Sequence, residues 1–395
     1  MRFVIVFLMA TLGWSAPTYT KDVARILNNR CVECHRNGEA APMSLATFKE
    51  VRPWARAIKE KVLTRAMPPW LADARYGRFI NERRLSQTEI DTVSAWVDGG
   101  APEGNLRDSP PPPAFTNGWA IGKPDQVFEL PEVVDVPASG VIPYRYYTVP
   151  TNFTKDMWVQ ASEIRPGNRA VVHHVIVFIQ MPGAREGTAG AREKLSGFAP
   201  GEQPKTYPAG TAKRIPAGAN LVFQMHYTPT GKAATDRSYV GLKFAREPVK
   251  RRALTGTALN TKFVIPARDP HYEVTSSWEA KQDVRIVDLM PHMHLRGKDF
   301  TYTVVYPDGR REMILSVPRY DFNWQLLYLF AEPLKLPKGS RLECVAHFDN
   351  SPNNKHNPDP GKEVKWGPQT WEEMMIGWFD YTLEQEPELT SRAGR

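Results

Sequence analysis

Two cysteines and a histidine near the N-terminus have the spacing of a covalent haem attachment site. Cys31, Cys34 and His35 form a CxxCH motif. In such a motif the two thiols can add to the vinyl groups of one haem, and the adjacent imidazole can ligate its iron. A structural zinc site would need further thiol or imidazole ligands nearby, yet His35 is the only histidine before residue 173. The motif therefore predicts one covalently bound haem c.

The sixth ligand of the haem iron is predicted to be a methionine. Met67 lies in the proline-containing segment Arg65–Trp70, and a predicted helix separates it from His35. This arrangement suits a loop that returns over the haem. Met43 is the alternative ligand. Ligation by histidine and methionine raises the reduction potential, which suits electron transfer.

Five further histidines lie in three short motifs beside apolar, strand-like segments. They are His173, His174, His226, His292 and His294. Side chains at positions i and i+2 of a strand share a face, so His292 and His294 can reach one ion. His173 and His174 are neighbours, so their shared ligation requires a strand end, a twist or a bulge. Imidazole suits copper, zinc, iron and nickel, so these residues alone leave the metal open.

The order of these motifs resembles that of the copper type II ascorbate-dependent monooxygenases, such as peptidylglycine α-hydroxylating monooxygenase and dopamine β-monooxygenase. The shared order is HH, a lone histidine in QxHY, HxH followed by Gly-Lys, and Glu-Met near the C-terminus. It covers most of residues 125–385. The resemblance implies two copper ions, one of which is an electron-transfer copper held by His173, His174 and His226.

The resemblance also implies that the second copper binds dioxygen and is held by two imidazoles and a thioether. The matching imidazoles are those of His292 and His294, and the matching thioether is that of Met374, with the adjacent Met375 as the alternative. A soft thioether favours Cu(I), the state that must meet dioxygen. The catalytic residues implied are therefore His292, His294 and Met374.

Two departures from the family concern disulfides and the substrate. The animal enzymes are rich in disulfides, whereas this module contains one cysteine, Cys344, whose apolar surroundings predict burial. The arginine and tyrosine that serve the peptide substrate of the amidating enzyme are replaced here by Met290 and Trp378. The expected substrate is therefore a small organic molecule other than a glycine-extended peptide. No role is assigned to His271, His347 or His356.

Three helices are predicted to surround the haem motif. Thr20 can cap the first helix, and the second fits Pro53–Thr64. The third begins with a capping box formed by Ser86 and Glu89. Residues 20–104 are therefore predicted to form a small all-α domain that resembles class I cytochromes c.

A different composition follows a proline-rich linker, which is predicted at residues 105–123. Short apolar segments separated by proline and glycine turns predict antiparallel strands. These strands would form a first β-sandwich over residues 124–260 and a second over residues 261–388. The fold implied by the family resemblance, two jelly-roll-like sandwiches facing a cleft, agrees with this organisation. The predicted fold class is therefore multidomain, with the all-α domain followed by two all-β jelly-roll-like sandwiches.

Charge and the N-terminal segment bear on partners and location. The formal net charge is +8, but lysine and arginine are dispersed, so no nucleic-acid partner is expected. Met1 and Arg2 precede an apolar run that ends at small residues, which predicts a signal peptide over residues 1–16 and a periplasmic or secreted protein. The run is too short to span a bilayer, so stable membrane insertion is not expected.

Together these motifs predict an exported haem- and copper-dependent monooxygenase that hydroxylates a C–H bond of a small organic substrate. Dioxygen and an external electron donor, a small reductant or a redox protein, are the expected partners. The haem would feed electrons to the two-copper site. The alternative is a redox carrier or copper-binding protein without oxygenase activity. The five histidines and Met374 favour the enzyme, because a docking module needs none of them.

Overall fold

The computed structural model describes residues 16–37, 39, 41–114, 118–184, 191–199, 204–386 and 389. One unit of the chain is formed by the described parts of Met1–Pro69 and Arg83–Phe115, and the other by those of Trp70–Glu82 and Thr116–Arg395. All but the last residue of the predicted signal peptide lies outside the described residues. Within the described ranges, no helix has the length and apolar character needed to cross a membrane.

The first unit contains short helices around a small apolar core. Its α-helices are α1 (Ala24–Arg30), α2 (Phe48–Val51), α3 (Ala55–Leu63) and α4 (Gln87–Asp98), with short π- or 3-10-helical turns at Tyr19–Val23, Arg52–Trp54 and Leu106–Asp108. Helix α4 begins with the predicted capping box, in which the side chains of Ser86 and Glu89 each accept from the other's backbone amide. The first helical turn is capped by Thr18 rather than by Thr20, which is buried.

The predicted fold class is wrong, because the described chain contains no all-α cytochrome c-like domain over residues 20–104. Strand accounts for 38% of the structure and helix for 12%. Of the described helices, only α3 and α4 exceed seven residues. Trp70–Glu82, which was predicted to belong to this domain, is part of the second unit. Caps and apolar spacing mark where a helix can begin but do not set its length, and Pro68 and Pro69 prevent a helix from continuing.

Twelve strands of the described chain form the first β-sandwich and a small ribbon beside it. They are β1 (Gln126–Glu129), β2 (Val134–Val136), β3 (Arg145–Pro150), β4 (Met157–Arg165), β5 (Val172–Gln180), β6 (Arg192–Phe198), β7 (Lys205–Thr206), β8 (Thr211–Ile215), β9 (Asn220–Tyr227), β10 (Ala234–Asp236), β11 (Tyr239–Phe244) and β12 (Arg251–Arg252). One sheet has the order β1-β11-β4-β8-β12, with β7 beside β4, and the facing sheet has the order β3-β9-β5-β6. Apolar side chains such as Val175, Phe223 and Val240 fill the space between the sheets.

Ten further strands of the described chain form the second β-sandwich, which has eight of them, and a separate two-stranded sheet. They are β13 (Leu254–Asn260), β14 (Val264–Ile265), β15 (Tyr272–Glu279), β16 (Val284–His292), β17 (Gly297–Val305), β18 (Arg311–Val317), β19 (Tyr328–Leu336), β20 (Arg341–Phe348), β21 (Val364–Lys365) and β22 (Met375–Leu383). A sheet of order β13-β22-β16-β19 packs on a sheet of order β15-β20-β17-β18. Cys344 is buried in the core between them, as its apolar neighbours predicted.

Strands β16 and β22 are largely buried on both faces, because one face covers the core and the other packs toward the first sandwich. Lys205 of β7 lies between two buried carboxylates, with Nζ–O distances of 2.5 Å to Asp288 and 2.6 Å to Asp380. The Tyr207 hydroxyl also donates to Asp380, at 2.7 Å. A buried polar cluster, here called the Lys205 cluster, therefore joins the two sandwiches.

Candidate metal centres

A β-bulge brings the two adjacent histidines of β5 to the same side of the strand. In the pairing of β5 with β9, Val172 lies opposite Tyr227, and His174 lies opposite His226. Two residues of β5 thus span the length that one residue of β9 covers, and His173 is the extra residue. Regular alternation would point His173 and His174 to opposite faces. The bulge removes this obstacle to shared ligation.

The three imidazoles of His173, His174 and His226, here called the three-histidine cluster, converge through their Nδ1 atoms. Nδ1 of His174 lies 3.4 Å from Nδ1 of His173 and 3.3 Å from Nδ1 of His226. One ligand atom from each residue lies within 4.8 Å of the others. Two nitrogens that are each about 2.0 Å from one ion, at roughly the tetrahedral angle, are separated by about 3.3 Å. The cluster therefore has the dimensions of a three-nitrogen metal site.

The other two histidines, His292 and His294, here called the two-histidine pair, have free Nε2 lone pairs. Nδ1 of His292 lies 2.7 Å from Oε1 of Gln325, and Nδ1 of His294 lies 3.1 Å from the carbonyl oxygen of Glu372. Because these oxygens only accept hydrogen bonds, each Nδ1 carries the proton and each Nε2 the lone pair. Nε2 of His294 is buried and has no hydrogen-bond partner among the described residues. A metal ion would satisfy this nitrogen.

Burial keeps all five imidazoles neutral. Desolvation lowers the pKa of His173 and of His174, and desolvation together with His173 lowers the pKa of His226 to about 3. Burial likewise lowers the pKa of His292 to about 4 and that of His294 to about 3. A metal binds the neutral form of an imidazole, so both groups have the protonation state that a metal ion requires.

Strand alternation separates the two candidate thioethers, Met374 and Met375. In the pairing of β16 with β22, His292 lies opposite Ile376, so these two side chains share a face of the sheet. Met375 is fully buried in the core of the second sandwich, on the opposite face. Met374 is half-buried and directly precedes β22. If alternation continues through this residue, its side chain shares the face of Ile376 and His292, so Met374 is the one of the two that is expected on the histidine side.

Two aromatic rings lie between the three-histidine cluster and His294. The ring centroid of Tyr144 is 4.7 Å from that of His226 and 6.4 Å from that of His294. Phe322 stacks on His173 with centroids 5.3 Å apart, and its centroid lies 5.8 Å from that of His294. Burial raises the pKa of the Tyr144 phenol above its usual value, so this ring stays neutral. A single layer of rings thus separates histidines that belong to different sandwiches.

A buried carboxyl group ties the turn that carries His294 to the segment before Met374. Glu373 accepts hydrogen bonds from the amide of His294 at 2.8 Å and from the amide of Arg296 at 2.7 Å. The buried guanidinium of Arg296 donates to the carbonyl oxygen of Trp371 at 3.0 Å. These bonds hold the chain around His294 against the chain around Met374, although the two segments are far apart in sequence.

We expect Gln325→Leu to weaken metal binding at the two-histidine pair by about 10–100-fold, because His292 loses the acceptor that orients its ring. Metal binding at the three-histidine cluster should not change. Anaerobic competition with a chromophoric Cu(I) chelator measures both affinities. Gln325→Glu keeps an acceptor and serves as the control. Equal losses in the two variants would show that the hydrogen bond does not orient His292.

The CxxCH residues of the first unit form a tight turn at the end of α1. Cys31 caps α1, and its carbonyl oxygen accepts from the amides of Cys34 and His35 at 3.2 Å and 2.9 Å. Burial, with a smaller effect of Cys34, raises the pKa of Cys31 to about 12. Burial also lowers the pKa of His35, and Nδ1 of this residue is buried without a hydrogen-bond partner in the described part of the chain. Two neighbouring thiols and a neutral imidazole fit covalent haem attachment.

The two methionines considered for the haem iron lie in different surroundings. Met43 packs against the core of the first unit. Met67 is half-buried in the loop that follows α3, where its amide donates to the carbonyl oxygen of Lys61 at 3.2 Å. Ligation of the iron by Met67 stays a prediction.

Sequence analysis missed the side chains that support the histidines. Those described above are Tyr144, Phe322, Gln325, Glu373 and Arg296. Aromatic residues in apolar segments are most often core residues, and a single glutamine or arginine carries no signal without its partners. Only Glu373 had a usable signal, because it adjoins the predicted ligand Met374.

Comparison with known proteins does not assign the chain to a family. No family model matches it, and no curated protein matches it. Similar solved structures include PNGF-II, with 8% identity, a TM-score of 0.27, and coverage of 68% of this chain and 66% of that chain. Infectious bursal disease virus, Gx strain, has 9% identity, a TM-score of 0.19 and coverage of 65% and 72%. The STIV MCP has 10% identity, a TM-score of 0.29 and coverage of 65% and 97%. These TM-scores are too low to indicate a common fold.

Proposed function

We propose that the protein is an exported haem- and copper-dependent monooxygenase that hydroxylates a C–H bond of a small organic substrate. The observation that carries this proposal is the presence of two different histidine groups on either side of one layer of aromatic rings. Nδ1 of His174 lies 3.3 Å from that of His226 in one group, and the rings of His292 and His294 are 5.2 Å apart in the other. A structural metal site would need only one such group.

Copper is the metal that the donor atoms favour. The two groups offer five imidazoles, and continued alternation along β22 would bring the thioether of Met374 to the side of the two-histidine pair. Imidazole and thioether ligands suit copper, and the soft sulfur favours Cu(I). Copper bound at both groups would supply the one-electron chemistry needed for oxygen activation.

The protein's own residues would orient the ligands and exclude water. Gln325 and the carbonyl group of Glu372 accept the Nδ1 protons of the pair, which leaves both Nε2 atoms available. His292 and His294 are 6% and 1% exposed, and Phe322 packs edge-on against the ring of His294. A site that excludes solvent strengthens electrostatic interactions and protects the reaction from side reactions with water.

Two positions on facing strands bear on the proposed substrate. Met290 and Trp378 lie opposite each other on β16 and β22, in a small pocket whose lining also includes the charged side chains of Lys194, Lys205, Asp288 and Asp380. In the amidating enzyme that the sequence resembles, an arginine and a tyrosine at these positions serve the peptide substrate. A thioether and an indole cannot take over those roles, so the proposed substrate is a small organic molecule other than a glycine-extended peptide.

Haem is proposed as the second redox cofactor. It would be attached through Cys31 and Cys34, with His35 as an axial ligand of the iron. Haem would supply one-electron transfer with an external donor. Carrying haem and copper on one chain would keep both cofactors in fixed proportion.

We expect the reduced protein to bind two Cu(I) ions per haem, and His174→Ala to bind one fewer, because it removes the central nitrogen of the three-histidine cluster. His356→Ala changes an exposed histidine and should bind both ions. Metal analysis after anaerobic loading and removal of weakly bound copper gives the stoichiometry, and the reduced-minus-oxidised spectrum gives the haem content.

Oxygen uptake decides between the proposed enzyme and its alternative. The copper-loaded protein with ascorbate should consume dioxygen in step with hydroxylation of an added substrate, and His294→Ala should not. Two bound coppers without substrate-linked oxygen uptake would indicate a redox carrier or copper-binding protein. An unchanged copper content in His174→Ala would exclude the three-histidine site itself.

A further inference from the structure

A third group of side chains that could bind a metal lies on the sheet of the second sandwich that does not carry the two-histidine pair. Glu273 of β15, His347 of β20 and Asp299 of β17 occupy paired positions on three adjacent strands. Their sequence neighbours Val274 and Phe300 point into the core. By alternation, the three polar side chains therefore project from the outer face of the sheet.

His347 lies between two carboxylates. Its Nδ1 atom is 2.6 Å from Oδ1 of Asp299, and its Nε2 atom is 3.3 Å from Oε2 of Glu273. A neutral imidazole has one N–H and can donate to only one of these oxygens. If Nδ1 donates to Asp299, the lone pair of Nε2 faces a carboxylate oxygen, and a metal ion between these two atoms would replace their repulsion by two favourable contacts. A histidine that donates to a carboxylate through one nitrogen and ligates a metal through the other is a common arrangement in metal sites.

His271 adds a second imidazole to this group. Its ring stacks on that of His347, with centroids 4.1 Å apart and planes at 7°. Ligand atoms of His271, Asp299 and His347 lie within 4.8 Å of one another. The amide of His271 donates to the side chain of Asp269 at 2.8 Å, which fixes the loop before β15. His271 is exposed, so an ion can reach the group from solution.

We infer that His271 and His347, with Asp299 and Glu273, form a surface site for a divalent transition-metal ion of the zinc type. Imidazole and carboxylate ligands without sulfur suit Zn²⁺ or Cu²⁺ and do not favour Cu(I). The site thus differs chemically from the two-histidine pair with its thioether. Glu273 of β15 and His347 of β20 would ligate the ion, and Asp299 of β17 would orient the ring of His347, so the bound ion would join three strands. One of these, β17, starts just after the turn that carries His294.

Zinc uptake by the reduced, Cu(I)-loaded protein tests this inference. Wild type should take up one Zn²⁺ per chain beyond its copper, as measured by metal analysis after dialysis. His271→Ala and His347→Ala should each weaken zinc binding by more than about 10-fold, because each removes a proposed ligand. His356→Ala, the control for an exposed histidine, should bind zinc as wild type does. Zn²⁺ should also raise the unfolding temperature of wild type but not that of His347→Ala.

Asp299→Asn separates a metal site from a simple cluster of polar groups. It keeps the shape of the side chain but removes the charge, and it should weaken zinc binding by about 10–100-fold. The inference is overturned if wild type takes up no Zn²⁺ beyond its copper. It is also overturned if both histidine variants bind zinc as wild type does. The zinc affinities of wild type and His347→Ala can be compared whether or not the protein binds copper. A failure of copper binding, which would contradict the proposed function, is therefore distinguishable from a failure of zinc binding at this site.

Discussion

Met374→Leu is expected to lower copper-dependent oxygen uptake by at least about 100-fold, whereas Met375→Leu should leave it nearly unchanged. Changing a residue that only orients a metal ligand costs about 10–100-fold, so losing a ligand atom should cost at least as much. Leucine is close to methionine in volume and lacks the sulfur. Met375 is buried in the core of the second sandwich, where a swap that conserves volume costs less than about 1.5 kcal/mol in the free energy of unfolding.

Cu(I) affinity at the two-histidine pair is the direct measurement for this pair of variants. Met374→Leu should lose Cu(I) affinity and keep most of its Cu(II) affinity, because the thioether prefers the softer ion. Met375→Leu is the matched control, since it makes the same chemical change one residue away. If Met375→Leu lost Cu(I) affinity and Met374→Leu did not, Met375 would be the copper ligand, and the assignment of Met374 to the histidine side of β22 would be wrong.

Lys205→Met is expected to lower the free energy of unfolding by about 3–5 kcal/mol, because it removes the cation that lies between two buried carboxyl groups and leaves Asp380 with the more distant Lys213. Lys205 lies within 2.6 Å of both Asp288 and Asp380, and these aspartates are 2% and 5% exposed. Denaturant unfolding followed by tryptophan fluorescence measures the loss. Lys281→Met, which removes an exposed surface lysine, is the control and should change stability by no more than about 0.5 kcal/mol.

The same variant should unfold in acid at a higher pH than wild type. Burial opposes ionisation of Asp380, but Lys205 and Lys213 outweigh it and hold the pKa of this carboxyl below its usual value. A carboxylate of this kind stabilises the fold above its unfolded pKa of about 3.9, and that contribution is lost as the pH falls through the folded pKa. Removing Lys205 raises the pKa of Asp380 in the folded protein, so the stabilising contribution of this carboxylate is lost at a higher pH. Identical acid transitions in the two proteins would mean that Lys205 does not hold Asp380 ionised.

The strands that carry the histidines could be anticipated from sequence because their signal is local. Apolar segments beside His226 and His292 have the composition of strands, and the structure has strands there, β9 and β16. Side-chain alternation required a strand end, a twist or a bulge at His173, and the structure has a bulge there. The change in composition after the proline-rich linker predicted the strands, and the division into two sandwiches was an expectation that agreed with the family resemblance.

The remaining features depend on contacts that no local pattern reveals. Lys205, Asp288 and Asp380 are distant in sequence, and each of them, taken alone, would be predicted to be a solvated charge on the surface. The choice between Met374 and Met375 needed the register of β22 against β16. The all-α domain was predicted from caps and apolar spacing, which are local signals. These signals correctly located the start of α4 but could not show how little of the chain around it is helical.

The extra residue at His173 constrains how this part of the gene can change over time. The two neighbouring histidines share a side only because β5 has one residue more than β9 between two paired positions. Deleting a single codon here would restore even pairing and turn one imidazole toward the opposite face. Mutation can therefore alter the side chains around the histidines more freely than it can alter the number of residues in the strand.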